Sequence, residues 1–110
     1  MDKIAILEMI LDSWNKRVVF ADCGHIIRYM NKAAQKRYSR WGDVIGKSLM
    51  DCHNEKSRKM IIDCFEKLQN GAEEVLYKSS EEERAYMRAV RNESGTLEGY
   101  IARYEPPIGK

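Results

Sequence analysis

The last third of the chain most restricts what it can fold into. Residues 74–78, 84–91 and 97–104 read as three strands, and in the second Ala85, Met87 and Ala89 alternate with Tyr86, Arg88 and Val90. That period of two belongs to a strand with one face buried. The acidic Glu81-Glu82-Glu83 forms an exposed hairpin tip, and Asn92-Glu93-Ser94-Gly95 is a turn. Strands linked by turns this short pair antiparallel.

The earlier residues must supply a cover for this sheet. From residue 54 to 70, Met60, Ile61, Cys64, Phe65 and Leu68 recur at helical spacing, and Gly71 stops the helix. Residues 17–22 and 26–30 are short β-rich runs around Cys23-Gly24-His25. There Gly24 is expected to supply a positive φ and Asp22 to hydrogen-bond into the turn. Asn31 caps a short helix over 32–38, whose Ala33 and Ala34 permit close approach to a sheet. At the N-terminus, Ile4, Leu7, Leu11 and Trp14 make one helical stripe, with Ile6 and Ile10 offset around the axis. Two apolar faces need two surfaces. Either the helix lies between its own domain and a second copy, or it is buried in one core. The order as a whole fits an α+β fold of five antiparallel strands with helices packed on one face.

The remaining composition narrows function. At 110 residues and 44% hydrophobic content the chain is one domain with a core of its own. Charged residues reach 33%, yet the net charge is only +2 and the basic residues are scattered. A nucleic-acid partner calls for a concentrated basic stripe, so none is expected. No apolar run approaches the roughly 18 residues of a membrane span. Asp2 and Glu8 interrupt the N-terminal apolar stretch, which argues against a signal sequence. Three cysteines do not make a secreted disulfide framework, so a cytoplasmic protein with reduced thiols is expected.

The order and the residues together resemble the PAS family. The run from Val18 to Ala34 (VVFADCGHIIRYMNKAA) is similar to its opening hairpin and first helix. Val44-Ile-Gly-Lys-Ser-Leu49 resembles the step into its long connecting helix, and Ala89 to Tyr100 its closing hairpin. A narrower similarity, Cys52-His53-Asn54-Glu55-Lys56-Ser57, is to bacterial members carrying Cys-His-Pro-Pro-Lys-Ser, with Asn54-Glu55 in place of the prolines. The resemblance implies a PAS domain over 15–105, an N-terminal flanking helix over 1–14 that serves as a dimer contact, and a tail over 106–110. It also implies a sensor with a pocket between sheet and helices, working as a homodimer on a signalling partner. Haem-binding members carry a ligand histidine either in the short segment before the long helix or within that helix. Here the second position falls near Met60.

The candidate site follows from these two readings. His53 is the candidate axial ligand to haem iron, since neutral imidazole suits that role. The bland alternative has His53 fixing a turn and Cys52 packing as a small apolar residue. Cys52, Met60, Ile61, Cys64 and Phe65 are candidate pocket-lining residues, with Phe20, Ile27, Tyr29, Ala89, Ile101 or Arg103 facing them from the sheet. The same residues would equally close a solid core. Cys23, His25, Cys52 and His53 are a zinc-like ligand set at spacings unlike a ribbon or finger, so no metal site is expected. Adjacent Cys52-His53 lacks an orienting third group and an oxyanion hole, so catalysis is not expected. Redox sensing by Cys23, Cys52 or Cys64 would need an exposed thiol of lowered pKa. A separate reading makes the chain a ligand-free interaction module, docking a partner on an outer sheet face around Tyr86, Tyr100 and Tyr104.

Overall fold

The computed structural model of the chain describes residues 1–108, apart from the side chain of Cys52. Its order is α1 (Lys3–Ser13), β1 (Val19–Asp22), β2 (Ile27–Met30), α2 (Lys32–Arg37), two 3₁₀ turns (Ser39–Trp41 and Leu49–Cys52), α3 (Glu55–Gln69), β3 (Glu74–Ser79), β4 (Arg84–Arg91) and β5 (Leu97–Glu105). The strands form one antiparallel sheet in the order β2-β1-β5-β4-β3, so the last strand to be made lies at its centre. Ile61, Cys64, Phe65 and Leu68 of α3 are buried against the sheet at the i, i+3, i+4, i+7 spacing of one helix face. Asn54 caps this helix, its side chain accepting from Ser57 N, and Gly71 at φ 110° ends it. Arg91 closes the same end by donating to the carbonyls of Leu68 and Ala72, at 2.6 and 3.3 Å.

The β1–β2 turn is made differently from the sequence expectation. Asp22 Oδ1 accepts from Gly24 N and Ile26 N, as its position suggests, but the positive φ (65°) falls on His25 rather than Gly24. His25 can hold that conformation because its ring is anchored. Its Nδ1 lies 2.8 Å from the Tyr100 hydroxyl, and it packs edge-on against Phe65 with centroids 4.9 Å apart. It is thus half-buried rather than exposed, and burial lowers its pKa.

Strand register decides which residues face the helices. Val19, Ala21, Ile27, Met87, Ala89, Tyr100, Ala102 and Tyr104 share the covered face. Phe20, Tyr29, Ile101, Arg103 and Tyr86 turn to the other. Of the sheet residues expected to face the pocket, Ile27 and Ala89 lie on the covered face and Phe20, Tyr29 and Arg103 do not; Ile101 alternates outward, yet it borders the cavity between the layers. The three tyrosines expected on one outer face are also split. Tyr100 and Tyr104 point inward, and Tyr86 alone is outside, beneath the Arg84 and Arg103 guanidinium groups.

Helix α1 has no buried residue, so it is not a core helix. It is held at its end by Asn31, which is fully buried. Asn31 Oδ1 accepts from Val18 N and Ala34 N, while Nδ2 donates to the carbonyls of Leu11 and Lys16, all within 3.0 Å. One side chain therefore caps α2 and ties α1 and its linker to the sheet.

Candidate functional site

The buried side chains form two clusters. One joins α3 to the sheet through Ile61, Phe65, Leu68, Met87 and Tyr100; the other gathers Val19, Ile27, Met30, Ala34 and Val44 around α2. Between them lies a cavity of about 510 Å³ lined by members of both. Of the α3 residues, Ile61 belongs both to the buried cluster and to the cavity wall, while Cys64, Phe65 and Leu68 belong to the cluster alone. The volume is within the roughly 300–1,000 Å³ of small-molecule sites.

His53, Met60 and Ile61 line this cavity, whereas Cys64 and Phe65 sit deeper, in the α3 cluster, and do not. The difference is one helical turn: Cys64 and Phe65 cluster with Ala21, Met87 and Tyr100, which form part of the cavity wall, and stand behind that wall. The Cys52 side chain lies outside the described residues. His53 ends the 3₁₀ turn, and its Nδ1 donates to the carbonyl of Leu49 at 2.8 Å. That bond supports both readings of this histidine. It fixes a turn, and it leaves Nε2 as the bare nitrogen, the state in which imidazole binds a metal. Thiol chemistry gains nothing from the structure: burial raises the pKa of Cys23 and of Cys64. Among the described residues, no three His, Cys, Asp or Glu side chains gather as a metal group.

At the β5 end the cavity has a polar pole that no local sequence pattern marks. The Arg17 guanidinium lies 3.6 Å from the Tyr104 ring centroid, donates to the Tyr38 hydroxyl at 3.0 Å and pairs with Glu83 at 2.6 Å. The Tyr38 and Tyr104 hydroxyls are 3.4 Å apart. Burial pushes the hydroxyls of Tyr38, Tyr77 and Tyr104 up, that of Tyr104 to about 12, so all three are neutral at pH 7. Five residues from five places in the chain meet here. Only correct registration of β5 would have brought Tyr104 to Arg17 in advance.

One antiparallel sheet covered on one side by helices, with a cavity between the layers, defines a small α+β module. The model of the PAS domain family matches residues 7–104. This chain belongs to the PAS family, whose domains are generally sensory and signalling modules without catalysis. Three solved structures share the fold. A C-terminal domain from Streptococcus mutans superposes with a TM-score of 0.75 at 22% identity, over 94% of this chain and 84% of its own. The PAS domain of a Colwellia psychrerythraea protein gives 0.71 at 12% identity, covering 99% and 100%. An RNA-binding light-oxygen-voltage receptor gives 0.65 at 16%, over 94% of this chain but 32% of its own. No curated protein matches the sequence. Among the described residues no helix is long and apolar enough to cross a membrane.

Proposed function

We propose that this chain is a sensory PAS module that binds a small, mostly apolar ligand between sheet and helices and signals through α1, where two copies meet. The cavity between the two core clusters carries the reading. A ligand there touches both clusters, and it shifts the balance between two packings of helix on sheet by its difference in affinity for them. The signal has a short path outward, because Arg17 lines the cavity three residues after Trp14, the C-cap of α1.

Helix α1 supports the contact with a second copy. Ile4, Leu7 and Ile10, which share one face of this short helix, are between 49% and 69% exposed. The reading as a ligand-free docking module loses its main support, since the outer tyrosine surface it relied on is not formed.

A second reading gives the ligand's identity as haem. His53, with Nδ1 committed to Leu49, would hold the iron, which would supply gas binding or redox sensing. One experiment addresses both parts: sedimentation velocity recorded at 280 nm and at the Soret wavelength, with haemin added. Wild type should sediment as a dimer and Ile10→Glu as a monomer; co-sedimenting Soret absorbance should fall about tenfold in His53→Ala. A monomeric wild type removes the α1 contact, and equal Soret absorbance in wild type and His53→Ala removes His53 as ligand.

A further inference from the structure

The charge lining the cavity differs from that of the chain. Arg17, Arg37, Lys56 and Lys78 reach it against a single carboxylate, Glu83, although the whole protein carries only +2. The walls between are apolar, from Val19 and Met30 on one side to Ile61 and Met87 on the other. Arg37, Lys56 and Lys78 are exposed at the rim, whereas the Arg17 side chain is only 17% exposed and ends among neutral tyrosine hydroxyls. A guanidinium flanked by hydroxyl donors is a carboxylate-binding set.

Resting on the cavity reading above, we propose that the ligand is an apolar molecule ending in a carboxylate, whose head group takes the place of Glu83 on Arg17. The exchange costs little because one carboxylate replaces another, so Arg17 keeps its hydrogen bonds. Glu83 can leave: it closes the β3–β4 turn, and that turn stays held by Ser80, which donates to the Glu83 carbonyl and accepts from its N–H. A neutral head group has no such exchange to make, because Glu83 would stay on Arg17. Two kinds of molecule share this chemistry, a straight-chain carboxylic acid and haem with its carboxylate-bearing edge.

Binding of dodecanoate against dodecan-1-ol, and of haemin against its dimethyl ester, to the full chain tests the proposal and separates the two. For whichever family binds, the acid should bind about tenfold tighter than its neutral counterpart in wild type. Arg17→Gln should erase that preference and Glu83→Gln should widen it, by tightening the acid and leaving the neutral compound alone. The opposite signs guard against a folding defect, and Glu83→Gln decides the matter if Arg17→Gln does not fold. Neutral and acid compounds binding equally, or acid affinity unchanged in Glu83→Gln, overturns the carboxylate proposal and leaves the cavity as a ligand site. If none of the four binds wild type, the cavity reading falls as well.

Discussion

Replacing Asn31 with leucine should cost about 3 kcal/mol or more and lower the melting temperature by more than about 10 °C. Leucine matches asparagine in shape but strands two N–H groups, of Val18 and Ala34, at a site with no access to water. Each stranded buried donor costs roughly 1–3 kcal/mol, a large part of the total stability of a domain this size. Asn31→Asp dissects the same site. Its Oδ1 still accepts from both N–H groups, but its second oxygen faces the carbonyls of Leu11 and Lys16 where a donor stood. The domain should then keep most of its stability while α1 comes free, seen as rapid proteolysis within residues 14–17 and an unchanged rate elsewhere. Equal protection in Asn31→Asp and wild type would mean that this side chain does not hold the helix.

Gly99→Ala should be as damaging, for a different reason. Gly99 lies in the central strand β5, paired with Asp22 of β1 and Val90 of β4. A β-carbon there would stand 2.2 Å from the carbonyl oxygen of Ala21 and 2.7 Å from the Phe20 ring. A side chain end can move aside, but the Ala21 carbonyl belongs to the sheet ladder. Relieving the overlap means opening the β1–β5 pairing, at about 3 kcal/mol. Urea unfolding should show this loss as a lowered midpoint; a midpoint within error of wild type would show that the strands are not packed this closely.

How much of this was legible depends on whether the determining contacts are local. The stripe on α3, the cap at Asn31, and the hairpin Asn92 to Gly95 each rest on residues within one turn or one strand, and each forms as the pattern implies. Strand facing was not legible. Phe20, Tyr29 and Ile101 are as apolar as Val19, Ile27 and Ala102, so alternation alone cannot say which set is inside. A bulge between Phe20 and Ala21 and the pairing with β5 settle it, and the second lies outside the hairpin's own sequence. The turn was misassigned because Gly24 is the residue that most easily takes positive φ, whereas the Tyr100 hydroxyl and the Phe65 ring hold His25 there instead. The segment around His53 was marked by its own residues. The Arg17 pole was not, since Arg17, Tyr38, Glu83 and Tyr104 have no shared spacing.

The methionines offer the most direct measurement of the central claim, that a ligand enters between the two core clusters. Met30, Met60 and Met87 line the cavity, and Met1, Met9 and Met50 do not. In spectra of ¹³C-methyl-methionine-labelled protein titrated with dodecanoate or haemin, the first three methyl signals should shift and saturate together, ahead of any change in the others. Signals from Met30, Met60 and Met87 that stay in place throughout both titrations would contradict it.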